Sequence, residues 1–104
     1  MIRHLVTFSF DESASEAERR SVLDELATFP SRFPAMRNWT MGPNRSRRDR
    51  TFDWVFVVDF DDEDALVAYL DSAEHERFVA ERWRPVVSHR AICSFATPTP
   101  IDRP

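Results

Sequence analysis

Glycine and cysteine are nearly missing from this chain: each occurs once in 104 residues. With Gly42 alone there is no glycine-rich loop to cradle a phosphate. With Cys93 alone an internal disulfide is excluded, and the lack of a second thiol argues against a zinc site. No stretch approaches the roughly 20 apolar residues of a membrane-spanning helix. An excess of positive charge is lacking too. The formal net charge is −4, so bulk electrostatics favour neither nucleic acid nor an anionic membrane as a partner. The opening residues Met1-Ile2-Arg3-His4 lead straight into a strand pattern, so no signal peptide is expected. With the lone thiol, this points to the cytoplasm.

What the chain has in quantity is aromatic bulk. Nine Phe and three Trp stand among 42% hydrophobic residues, enough for one well-filled core. One domain is expected over residues 1–97, followed by a Pro-rich tail over 98–104.

Residues 2–10 alternate, with His4, Val6, Phe8 and Phe10 on one side, which predicts a strand. Ser15 and Glu18 have the spacing of a capping box. The helix they start is expected to run to about Phe29, burying Val22, Leu23, Leu26, Ala27 and Phe29. Pro30 and Pro34 end it. A short second strand spans 36–41 and contains Trp39. A loop rich in arginine follows, and Arg45, Arg47, Arg48 and Arg50 read as solvated. Residues 52–60 form a third strand, whose unbroken Val55-Phe56-Val57-Val58 run suggests a central position covered on both faces. Asp61 or Asp62 caps a short helix presenting Ala65, Leu66, Tyr69 and Leu70. The acidic run around that cap reads as capping and solvating rather than as a cation site. After a break at Asp71-Ser72, another helix is expected from Ala73 to Val87, kinked or cut short by Pro85. Residues 89–96 form the last strand.

The order is β-α-β-β-α-β with the second helix split, the α+β ferredoxin-like arrangement of a four-stranded antiparallel sheet with helices on one face. The uncovered face predicts a homodimer in which two sheets stack into a dimeric α+β barrel. Phe8 or Phe10 and the apolar residues of the third and fourth strands are expected in or beside that interface.

Tyr69 and His75 flank the break between the two short helices, six residues apart. A phenol and an imidazole facing one cavity make an acid–base pair near neutral pH. The same two residues can equally be a hydrogen-bonded core pair. A helix N-terminus disfavours added positive charge, which would keep His75 neutral and basic. His4 shares its strand face with Val6 and Phe8 and reads as a core, interface or pocket residue.

Several segments carry a further likeness: the opening strand from Ile2 to Phe10 with its early histidine, Phe33-Pro34-Ala35-Met36, Gly42-Pro43-Asn44, Phe56-Val57-Val58-Asp59-Phe60, and the stretch from Asp62 to Phe78. In order and spacing they resemble the stress-responsive A/B barrel (Dabb) family of dimeric α+β barrels, over about Ile2 to Phe95. That resemblance implies a homodimer, and it does not imply one activity. One plant member closes a linear polyketide by an aldol-type condensation, with a tyrosine and a histidine at the positions of Tyr69 and His75 and an early-strand histidine at that of His4. A third-strand histidine of that enzyme falls at Trp54, and a His-Pro pair usual in the family falls at Ser72-Ala73. The resemblance therefore implies catalytic roles for Tyr69 and His75, and a pocket formed with His4, Trp54 and Phe78. No cofactor and no metal is expected. The ligand would be a small apolar or aromatic compound. Two function classes stand: a small cofactor-free acid–base enzyme of cyclase or isomerase type, acting on an aromatic or polyketide-like carbonyl compound, or a non-catalytic homodimeric binding or structural protein.

Overall fold

Alternation along the first segment forms β1, Ile2–Phe10, in a computed structural model that describes residues 1–97. The tail expected over 98–104 lies outside the described residues. The predicted capping box is present. Ser15 Oγ accepts from the Glu18 amide at 3.0 Å, and Glu18 Oε1 accepts from the Ser15 amide at 2.9 Å. It opens α1, Glu16–Ala27, which buries Val22 and Leu26. Ala27 is exposed rather than buried, because α1 ends there and the chain turns into a separate helical turn, α2, Phe29–Arg32. Pro30 starts this turn instead of only stopping α1, since the first turn needs no amide donor.

β2, Arg37–Pro43, and β3, Trp54–Phe60, follow. Asp62 caps α3, Glu63–Leu70, and Ser72 caps α4, Ala73–Phe78. The expected helix to Val87 is not continuous. Val79–Trp83 widen into a π-helical turn, closed by the Arg84 amide on the Val79 carbonyl at 2.9 Å. Residues five apart sit about 140° apart on an α-helix. A wider turn brings Phe78 and Trp83 closer to one face, and both are buried. β4 begins two residues earlier than expected, spanning Val87–Ala96.

The sheet order is β2-β3-β1-β4, all antiparallel. The register pairs His4 with Val58 and Ser94, Val6 with Phe56 and Ile92, and Phe8 with Trp54 and Arg90. Of these, Val6, Phe8, Phe56 and Val58 build the core with Val22, Leu26, Phe29, Phe60 and Phe78, and Trp54 packs against it, while Arg90, Ile92 and Ser94 on β4 stay exposed. Phe8 and Phe10 belong to that core, which corrects their expected place in an interface. The pleat sends even positions of β1 toward the helices and odd positions away.

β3 is central, yet helices cover one face only. On the other face Leu5, Thr7, Val55 and Val57 remain half-buried, and Phe95 is 45% exposed. Within that face Asp59 is buried under the Arg3 guanidinium, at 2.8 and 3.1 Å, and the Asn38 amide, at 2.9 Å. These bonds hold its carboxyl below the usual carboxylate range. Asn38 has a positive φ of 56°, at an irregularity in the β2–β3 ladder.

Candidate functional site

The chain break between α3 and α4 builds the site. Ser72 holds both sides of it. Its hydroxyl donates to the Tyr69 carbonyl at 2.8 Å and accepts from the His75 amide at 3.1 Å. Tyr69 therefore ends α3 and His75 enters α4 with their rings 4.5 Å apart, centroid to centroid. The Tyr69 ring is wedged against Phe33 at 4.9 Å and Phe60 at 5.3 Å. Packing of this kind fixes the direction of the phenol.

The hydroxyl itself has no hydrogen-bond partner among the described residues. No described side-chain nitrogen or oxygen is both sealed from solvent and unpartnered, so the hydroxyl keeps an opening, and Tyr69 lines a cavity. That cavity occupies about 150 Å³ between the sheet and the α4–π segment. His4, Tyr69 and His75 line it, with Phe29, Phe56, Phe78 and Trp83 among its walls. The structure thus brings together four of the five residues singled out from sequence: His4, Tyr69, His75 and Phe78.

Trp54 is the exception. It lies with Phe10 and Leu23 in a separate groove beside α1. Trp54 opens β3 opposite Phe8, four residues from the level of His4, or about 13 Å of strand. Phe8, opposite Trp54, packs on Trp83 of the cavity wall, 4.8 Å apart, and Trp54 itself does not line the cavity.

The two imidazoles are held differently. His75 Nδ1 lies 3.1 Å from the Leu70 carbonyl. A carbonyl can only accept, so Nδ1 carries the hydrogen and the Nε2 lone pair is left free. His4 Nδ1 lies 2.8 Å from Ser94 Oγ on β4, and its ring meets Tyr69 edge-on at 6.3 Å. Burial lowers the His75 pKa below its ordinary value, although the Leu70 carbonyl and Glu76 act the other way. Burial, with a smaller contribution from His75, lowers His4 from 6.5 to about 4. Burial also pushes the Tyr69 phenol above its ordinary value of 10. At neutral pH the cavity therefore holds two neutral imidazoles and a protonated phenol in apolar walls.

Sequence reasoning missed the parts of the wall that come from β4, Arg90 and Ile92, and those from α1 and α2, Leu26 and Phe29. Only the strand register reveals that alternate residues of β4 face the cavity. Among the described residues no group of three or more His, Cys, Asp or Glu side chains is arranged to hold a metal ion. No described helix is long and apolar enough to cross a membrane.

The family model of the stress responsive A/B barrel domain matches residues 2–96. Uncharacterized protein SCO4036 of Streptomyces coelicolor is 31% identical over 86 residues, covering 81% of this chain and 88% of that protein. A dimeric ferredoxin-like protein of unknown function from Thermobifida fusca superposes with a TM-score of 0.77 at 26% identity, covering 92% of this chain and 90% of that one. The hydroxynitrile lyase of Passiflora edulis superposes with a TM-score of 0.84 at 15% identity, covering 96% and 95%, a likeness of fold. With its ferredoxin-like sheet and a family match over nearly its whole described length, the chain belongs to the stress responsive A/B barrel domain family.

Proposed function

We propose that this protein is a small cofactor-free acid–base enzyme acting on a single-ring aromatic carbonyl compound. The observation that carries the reading is the free Nε2 of a neutral His75, with a partner-free phenol beside it in one apolar cavity. A cavity of about 150 Å³ suits one benzene-sized ring, so a compact aromatic ketone or aldehyde fits better than a long polyketide chain.

In this reading His75 Nε2 takes a proton from the carbon next to the substrate carbonyl. The electron pair of that C–H bond forms a carbon–carbon double bond as the carbonyl π pair moves onto the oxygen. The Tyr69 hydroxyl donates a hydrogen bond to the growing negative charge, and its raised pKa keeps that proton on the phenol. Return of the proton to another carbon gives an isomerisation. Attack of the enolate carbon on a second carbonyl gives a ring closure. His4, held by Ser94, orients the carbonyl end. That a protein of this fold is a hydroxynitrile lyase supports an enzymatic role by analogy.

The same proposal includes a homodimer. The half-buried Leu5, Val55 and Val57 and the exposed Phe95 give the uncovered sheet face the character of an association surface, and the T. fusca neighbour is described as dimeric. The exposed Cys93 thiol suits the reducing cytoplasm.

Hydrogen–deuterium exchange at the α-carbons of phenylacetone in D2O, followed by NMR, tests the chemistry. The wild type is expected to accelerate the exchange, and His75→Ala to remove about a hundredfold or more of that acceleration. Exchange no faster than in buffer, or unchanged in His75→Ala, would leave a non-catalytic binding dimer as the function.

A further inference from the structure

The walls of the cavity carry one full charge. The two histidines are neutral, and no Asp or Glu lines the space. The charge belongs to Arg90, which stands with Ile92 on the β4 side of the cavity. Elsewhere in the fold Arg3, Arg32, Arg37 and Arg82 are tied to carboxylates, while exposed arginines such as Arg77 and Arg84 are not; what distinguishes Arg90 is its place in the cavity wall. Among the described residues no carboxylate is paired with Arg90. A cation without a partner, at the rim of an apolar cavity, in a chain of net charge −4, is an arrangement that awaits an anion.

The register gives the level on β4 from which the Arg90 side chain reaches. Arg90, Ile92 and Ser94 lie opposite Phe8, Val6 and His4 in turn, so they follow one another along the helix-facing side of β4. Arg90 is four residues from the level of His4, about 13 Å of strand. An acidic group held by Arg90 therefore lies at the far end of a ligand whose carbonyl reaches His4, Tyr69 and His75. The ring between them fills the aromatic part of the cavity. A planar guanidinium matches a planar carboxylate through two parallel hydrogen bonds.

We infer that Arg90 forms an anion subsite at the cavity mouth, and that the ligand is a single-ring aromatic acid bearing its carbonyl opposite the carboxylate. This inference rests on the reading of the cavity as a ligand site and adds its polarity.

The test compares 4-acetylbenzoate with 4-acetylbenzamide, which share shape and differ in charge, by isothermal titration calorimetry. Arg90 is exposed, so the gain is modest: the acid is expected to bind wild type about fivefold more tightly, a preference that shrinks as salt is added. In Arg90→Gln the preference disappears while the amide binds as in wild type. Arg45→Gln, far from the cavity on the basic loop, keeps it. Equal affinity of acid and amide for wild type, or a preference that survives in Arg90→Gln, overturns the subsite and leaves the cavity reading intact. Failure of both compounds to bind at millimolar concentration removes the cavity reading and the subsite together.

Discussion

His4 is only 2% exposed, and its protonation has a direct consequence for stability. The unfolded chain binds a proton near pH 6.5, whereas the folded chain resists it down to about pH 4. Stability is therefore complete above pH 6.5, falls as the pH drops from 6.5 to about 4, and levels off below. The span corresponds to a loss on the order of 3 kcal/mol. Urea denaturation at stepped pH should show that decline, and His4→Gln should flatten much of it. A flat profile in the wild type would mean that His4 is hydrated in the fold. Tyr69→Phe keeps the ring in its packed place and removes only the hydroxyl. It should lower the rate of α-proton exchange less than His75→Ala does, with the unfolding midpoint nearly unchanged. The Tyr69–His75 pair was legible in sequence because both residues flank one helix break, a local feature. Arg90 was not, because an exposed arginine on an edge strand has no local pattern that says what it faces. Trp54 misled for the reverse reason: its correspondence with a family position says nothing of the strand level at which it sits, four residues from that of His4.

Caps and breaks decide how the elements place those residues. Ser72 is both the N-cap of α4 and the link between the Tyr69 carbonyl and the His75 amide. Ser72→Ala should cost about 1 kcal/mol in stability, the usual value of a cap. It should also lower the exchange rate, because the Tyr69–His75 spacing is no longer held. Ser15→Ala removes the equivalent cap on α1, far from the site, and should cost a similar amount of stability with no change in rate. Equal effects of the two variants on rate would show that Ser72 acts only through stability. The four strands and the capped helix starts were readable from alternation, cap spacing and the position of prolines. The π-helical turn was not. Helical periodicity assumes 3.6 residues per turn, and the widening at Val79–Trp83 follows from the need to bury Phe78 and Trp83 together, a demand of tertiary packing.

At the scale of the whole molecule, the bare sheet face and the one-sided helical layer support the proposed homodimer. Sedimentation equilibrium at micromolar concentration should give twice the 12.2 kDa chain mass. Val57→Asp, at a half-buried position of that face, should give a folded monomer. A wild-type monomer would contradict the dimer. That one sheet face is left without helices was visible in the order of elements. Which side of β1 is left bare was not, because His4, Val6, Phe8 and Phe10 suit either a core or an interface, and only the packing of the helices chooses between them. The central claim is that His75 offers a free, neutral Nε2 to a cavity shared with Tyr69. Nitrogen-15 NMR of the labelled imidazole, titrated from pH 8 to pH 4, tests it without any assumption about substrate. The account predicts the Nδ1–H tautomer at pH 7, with protonation of Nε2 below the ordinary histidine value. An imidazolium at pH 7, or a hydrogen resident on Nε2, would contradict it.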